Sequence, residues 1–339
     1  MIKILVVDDS AFMRKVVTDL ITDFPDMEVV GTARNGKYAL QWLEANQADM
    51  ILMDVEMPVM NGIEALTKIK QAYATPVIML SSLSMKEVTI EALALGAADF
   101  VEKPLKLMSI DEEWVRDFSE KIRSIFQKNK LMDYESSPVI NEFKQPTINN
   151  RQLPVKIDAL VIGASTGGPR ALLRVIQQLP PCIKMPIFIV QHMPKGFTAS
   201  FAQRLDTETK VTVREVTDQM VIENCVYLCP GDYHMTIKNN LLQLNQQPKL
   251  HGTRPAVDYL FSSAASRYHQ NLVAILLTGM GRDGAAGMKD IKNYDGYTIA
   301  QDKESSVVFG MPRYAIEQKV VDEVLSLDKI AKKIRDIVR

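Results

Sequence analysis

Apolar and polar positions along residues 1 to about 126 follow two alternating rhythms. Short apolar runs, IKILVV, EVVGTA, MILMDV, PVIML and DFVEK, are separated by stretches such as FMRKVVTDLITDF, YALQWLEAN, GIEALTKIKQAY and VTIEALALG, whose apolar residues recur at helical spacing. A last helical pattern, EEWVRDFSEKIRSIF, closes the series. Five strand and helix pairs in succession predict an open parallel sheet covered on both faces, a doubly wound (βα)5 unit. Over residues 127–155 the periodicity fades into a polar stretch with three prolines and an Asn-Asn pair, which reads as an interdomain linker. Its apolar Leu131, Met132, Val139, Ile140 and Phe143 are too many for a purely flexible tether. A second α/β pattern then begins at KIDALVIGAS and continues through PIFIVQH, NLVAILLTG and GYTIAQD, so residues 156–339 read as a second, mainly parallel α/β domain. Between Val211 and Leu244 the segments TVREVTD, CVYLCP, MTIKN and LLQLN, joined by PGDYH and NN, predict a β-hairpin insert on one side of that sheet.

Composition agrees with this division. A chain of 339 residues exceeds one ordinary core, at roughly 150 residues per domain, and 47% apolar with 24% charged residues suits a globular protein. The net charge of -1 and pI near 6.5 give no basic field, so nucleic acid is not an expected partner. No apolar run approaches the ~20 residues of a membrane span, and a cytoplasmic protein that is not membrane-inserted is expected. Cys182, Cys225 and Cys229 are too few for a disulfide framework. Cys225 and Cys229 with His234 give C-x3-C-x4-H, which lacks a fourth metal ligand and lies on a strand-like segment, so core packing is the expectation.

Candidate chemistry lies at the carboxyl ends of the strands, where open parallel sheets bind ligands. In the first half these ends carry Asp8 and Asp9, Asp54, Ser81 and Lys103. Converging carboxylates repel one another and call for a hard cation such as Mg2+, while a lysine and a hydroxyl beside them suit phosphoryl oxygens, with one aspartate as nucleophile. VVDDS, MDVEMPVMNG, MLSS and VEKP carry a resemblance to the receiver domain of bacterial two-component response regulators, covering residues 1–126. The resemblance implies Asp54 as phosphoacceptor and a Mg2+ site from Asp8, Asp9, Asp54 and the Glu56 backbone carbonyl. It also implies Ser81, Phe100 and Lys103 as the residues that respond to phosphorylation.

In the second half, VIGASTGGP feeds an apolar run into a glycine-rich turn and then a helix opened by Pro169. Gly163-Ala164-Ser165-Thr166-Gly167 fits G-x-S-x-G, which exposes a serine hydroxyl above a sheet; a loop that only turns the chain or holds a phosphate is the competing reading. One helix and one strand separate Ser165 from His192, so a right-handed crossover sets them at strand ends about 5 Å apart. Asp283, in the turn TGMGRDGAAG after another apolar strand, is the candidate acid, with Asp232 and Asp258 as rivals. Neither Asp232 nor Asp258 directly follows a strongly apolar strand; the competing readings are a structural role for His192, one of four histidines with His234, His251 and His269, and a helix-capping role for Asp283. The N–H groups of Thr166, Met280 and Gly281 are candidate oxyanion donors.

GASTGGP, VQHMP, HGTRPAVD, LLTGMGRDGAAGM and VVFGMP occur in the order found in the CheB-type methylesterase domain, which this half resembles. The resemblance implies a serine hydrolase with Ser165, His192 and Asp283 as its triad, needing no metal for hydrolysis. Its substrates would be glutamate γ-methyl esters, and in some members glutamines, of methyl-accepting chemoreceptors in bacterial chemotaxis. A CheA-type histidine kinase would be the phosphodonor, and the unphosphorylated receiver is expected to cover the Ser165 site.

Overall fold

The computed structural model describes residues 1–103, 110–134 and 151–339. The chain divides into two compact units, Met1–Pro138 and Val139–Arg339.

In the first unit the strands β1 (Ile2–Val7), β2 (Met27–Ala33), β3 (Met50–Asp54), β4 (Val77–Ser81) and β5 (Asp99–Glu102) alternate with helices. These are α1 (Ala11–Thr22), α2 (Gly36–Ala45), α3 (Gly62–Ala72), α4 (Lys86–Ala94) and α5 (Glu112–Tyr134). The sheet order is β2-β1-β3-β4-β5 and every pairing is parallel, as the alternating pattern predicts. All residues of β3 and β4 are buried, because helices cover both faces. Side-chain oxygens of Ser10, Asn35 and Asn61 accept from the first-turn N–H groups of α1, α2 and α3, which starts each helix directly beyond its strand. Helix α5 continues to Tyr134, past the boundary read at residue 126, while residues 135–150 of the expected linker lie outside the described residues.

In the second unit a seven-stranded parallel sheet forms the centre. Its strands and helices begin with β6 (Ala159–Ala164), α6 (Gly168–Ile176), β7 (Ile187–Gln191), α7 (Phe197–Glu208), β8 (Val213–Glu215), β9 (Met220–Val221) and β10 (Val226–Leu228). They continue with β11 (His234–Lys238), β12 (Leu241–Asn245), α8 (Val257–Tyr268), β13 (Leu272–Leu276), α9 (Ala285–Asn293) and β14 (Tyr297–Gln301). The chain ends with α10 (Met311–Glu317), β15 (Glu323–Leu325) and α11 (Leu327–Ile337). The order β15-β14-β13-β6-β7-β10-β8 places β6 between β7 and β13, so the chain leaves β6 toward one side and later returns on the other.

The hairpin insert is smaller than its sequence suggests. TVREVTD and CVYLCP supply β8 and β10, which pair in parallel at the edge of the main sheet. Val226, Tyr227 and Leu228 are all fully buried, and a continuous buried run belongs to a covered parallel strand, not to an alternating hairpin. Only β9, β11 and β12 form the separate antiparallel sheet. Cys225 and Cys229 are buried around β10, and both ring nitrogens of His234 are occupied, Nδ1 accepting from the Ala256 N–H and Nε2 donating to the Pro248 carbonyl. The cysteines and His234 therefore serve the core.

Phe188 on β7 stacks on Tyr227 of β10, with ring centroids 5.5 Å apart and both side chains fully buried. Truncating Phe188 to alanine leaves a cavity between neighbouring strands and is expected to cost about 3–5 kcal/mol, read from the shift of the urea unfolding midpoint of the catalytic unit in the full chain.

Candidate active site

Three adjacent strand ends converge in the second unit. The register of β6 pairs Ala164 with Gln191 of β7 and Gly163 with Leu276 of β13, so the residues that follow each strand emerge on one edge. Ser165 leaves β6 at once: its N–H donates to the Thr278 carbonyl at 3.0 Å, and its carbonyl accepts from the Gly168 N–H at 2.7 Å. Gly167 adopts φ +76°, a left-handed conformation that L side chains rarely take. On the far side Gly279 faces the nucleophile so closely that an added Cβ would lie 2.8 Å from Ser165 Cβ and 2.4 Å from Met311 Sδ. His192 follows β7 directly, its N–H held by the Ala164 carbonyl at 3.0 Å.

The side chains form one polar chain. His192 Nδ1 lies 3.2 Å from Ser165 Oγ, and His192 Nε2 lies 2.7 Å from Asp283 Oδ2. Asp283 is 1% exposed and accepts three backbone N–H groups, from Val257 at 2.6 Å and from Asp258 and Gly284 at 2.9 Å each. Burial pushes its carboxyl up, but the His192 hydrogen bond and charge and the Val257 and Asp258 N–H groups outweigh this and hold it below the ordinary range. Asp283 is then a carboxylate that can only accept, so the imidazole proton sits on Nε2 and the Nδ1 lone pair faces the serine hydroxyl.

Of the rival acids, Asp232 is paired with Arg254 and Asp258 with His251, and neither bonds His192. Among the described residues the N–H groups of Thr166, Met280 and Gly281 donate to no protein acceptor. Thr166 itself is buried and its carbonyl accepts from Thr278 Oγ1 at 2.8 Å. Gly281 is exposed with φ +86°.

Two supporting residues were not singled out by sequence. Gln191 Nε2 donates to the carbonyls of both Ser165 and His192 at 3.0 Å, tying the two strand ends together from a buried position. Thr253 Oγ1 lies 3.4 Å from His192 Nε2. Gln191 had a signal, a polar residue closing the buried run IFIV, whereas Thr253 reaches His192 only through the tertiary fold.

The first unit has its own polar site at the ends of β1 and β3. Carboxylate oxygens of Asp8, Asp9 and Asp54 lie within 4.8 Å of one another, and Lys103 Nζ is 2.8 Å from both Asp8 and Asp54. Glu56 lines the same cleft with Met57, Pro58, Ser82 and Met85. Burial raises the Asp54 carboxyl to about 6, opposed by Lys103 and the Glu56 N–H and assisted by the Asp8 charge. Ser81 Oγ is turned away, toward Thr89 Oγ1, whose own proton goes to the Met85 carbonyl. Phe100 is 4% exposed, with Lys121 Nζ over its ring at 5.5 Å.

The CheB methylesterase family model matches residues 160–334, and the response regulator receiver domain model matches residues 4–113. The protein-glutamate methylesterase/protein-glutamine glutaminase of Pyrococcus horikoshii is 43% identical over 340 residues, covering 97% of this chain and 91% of that protein. This chain belongs to the CheB methylesterase family. The CheB-family relative of the same name from Clostridium acetobutylicum is 41% identical, with coverage of 100% of this chain and 98% of that one. Among solved structures, the Thermotoga maritima CheB methylesterase catalytic domain is 43% identical, with a TM-score of 0.52, and spans 54% of this chain and 100% of its own.

Because the space opposite Ser165 holds only hydrogen at Gly279, Gly279→Ala is expected to displace the serine without dismantling the sheet. Reaction of Ser165 with a serine-directed phosphonate should slow at least about tenfold while thermal unfolding moves by only a few degrees.

Proposed function

We propose that this chain is a phosphorylation-controlled protein-glutamate methylesterase that also deamidates glutamine side chains. The observation that carries this reading is the continuous chain from Ser165 Oγ through His192 to the buried Asp283 carboxylate. Ser165 Oγ gives its proton to His192 Nδ1 and attacks the γ-carbonyl of a glutamyl methyl ester. Asp283 holds the ring by its Nε2–H and stabilises the imidazolium. The N–H groups of Thr166, Met280 and Gly281, which have no protein acceptor among the described residues, are the donors assigned to the negative charge that develops on the carbonyl oxygen. The imidazolium returns its proton to the departing methoxide, methanol leaves, and water activated by His192 hydrolyses the acyl-serine to free glutamate. The same steps on a glutamine amide release ammonia. The substrates are side chains on methyl-accepting chemoreceptors, and the enzyme works in the cytoplasm.

The receiver supplies control. Asp54 accepts a phosphoryl group from a CheA-type histidine kinase: its carboxylate oxygen forms the new bond to phosphorus as the P–N bond of the kinase phosphohistidine breaks, and the departing imidazole takes up a proton. The three clustered carboxylates are hard oxygen donors carrying more negative charge than Lys103 neutralises, which fits a Mg2+ site made by Asp8, Asp9, Asp54 and the Glu56 carbonyl. When bound, the ion offsets negative charge on the phosphoryl oxygens. Lys103 then contacts the phosphoryl group, while Ser81 leaves Thr89 to reach it and Phe100 repacks. Phosphorylation thereby shifts the catalytic unit toward its active population.

Methanol release from methylated receptor membranes tests both parts. Ser165→Ala is expected to lose on the order of 10^4 to 10^6 in turnover. Asp54→Asn should keep basal release yet gain nothing from a small-molecule phosphodonor with Mg2+; stimulation that persists in Asp54→Asn contradicts the assignment of the phosphoacceptor.

A further inference from the structure

Beside the serine, histidine and aspartate runs a second polar chain that the reaction above leaves unused. Asp258, in the first turn of α8, is 5% exposed. Its Oδ1 accepts the Gly287 N–H of α9 at 2.7 Å, and its Oδ2 faces His251 Nε2 at 3.1 Å. His251 Nδ1 lies 3.2 Å from Arg282 Nε. A guanidinium can only donate, so His251 Nδ1 accepts, the ring proton lies on Nε2, and that proton is given to Asp258. Both oxygens of Asp258 therefore accept hydrogen bonds, the pattern of an ionised carboxylate.

This second carboxylate is set against the first. Oxygens of Asp258 and Asp283 and a His251 nitrogen lie within 4.8 Å of one another, and the Asp258 N–H itself donates to Asp283 Oδ1. The charged or titratable groups facing Asp258 are Asp283 from the turn after β13 and His251 from the loop before α8, with Arg282 behind His251; α9 offers the Gly287 N–H. Burial, and then the Asp283 charge, raise the Asp258 carboxyl, against the pull of Gly287 and His251. Two like charges in a buried site are an unfavourable arrangement for stability alone, and their combined potential favours a cation beside them. The cation that forms there during the reaction is the His192 imidazolium.

Resting on the esterase reading above, we propose that Asp258 is a positioning residue of the reaction. Held ionised by the Gly287 N–H and by His251, whose tautomer Arg282 sets, it adds its charge to that of Asp283 in stabilising protonated His192. Its carboxylate makes no hydrogen bond to His192, so it acts by its charge, from beside Asp283.

The test is the pH profile of kcat/KM for methanol release by the full chain, activated with phosphodonor and Mg2+. Asp258→Asn preserves size and the acceptor for Gly287. Its acid limb should move to lower pH by about half a unit to one unit, with kcat reduced about three- to tenfold, the same free energy read as a rate, and KM unchanged. His251→Leu, which withdraws the donor from Asp258, should move the limb in the same direction, whereas His251→Gln, a neutral donor, should restore it. A folded Asp258→Asn enzyme with the native acid limb overturns the proposal, however low its kcat. Should that variant not fold, identical limbs for His251→Leu and the native enzyme overturn it instead. Ser165→Ala is measured alongside: if it still releases methanol, the esterase reading itself fails, an outcome distinct from a normal pH profile in an enzyme that Ser165→Ala inactivates.

Discussion

A buried carboxylate fixes the catalytic unit's polar geometry. Asp283 is surrounded by protein, and among the described residues no lysine or arginine pairs with it, so its charge is sustained by three backbone N–H groups and the imidazole. Two of those N–H groups, from Val257 and Asp258, belong to the first turn of α8, where the helix dipole favours an anion. The position of α8 against β6 and β13 thus determines where Asp283 sits. Asp283 in turn dictates which ring nitrogen of His192 carries the proton. The activation of Ser165 is the last link, and it depends on every earlier one.

Both units solve the problem of gathering polar groups in the same way. Parallel strands covered by helices are uniformly apolar along their length, so polar side chains appear where the strands stop. At the ends of β1, β3 and β5 the result is three carboxylates only partly neutralised by one lysine, which suits phosphoryl chemistry. At the ends of β6, β7 and β13 it is one serine, one imidazole and one carboxylate in a row, which suits acyl transfer. The sheet gives the spacing, and the residue types at the edge give the chemistry.

Most of this architecture was legible in the sequence because it is local. The strands and helices follow from periodicity, and Ser165 and His192 follow directly from the strands that deliver them. Asp283 was harder, since it lies seven residues beyond the end of β13, and only its glycine-rich turn marked it. Val213 to Leu228 misled because short strands with turn residues between them look alike whether they join a parallel edge or a hairpin; burial of Val226, Tyr227 and Leu228 separates the two. Gln191, Thr253 and the His251 to Asp258 pair were not legible as a set, because their partners are brought together by loops and by α8, not by any spacing along the chain.

The measurement that reaches the central claim most directly is the nitrogen NMR spectrum of the imidazole rings in 15N-histidine protein, feasible with four histidines. His192 is expected to carry its proton on Nε2, in a low-field hydrogen bond that disappears in Asp283→Ala, with Nδ1 unprotonated toward Ser165. A neutral His192 with its proton on Nδ1, unaffected by Asp283→Ala, would contradict it.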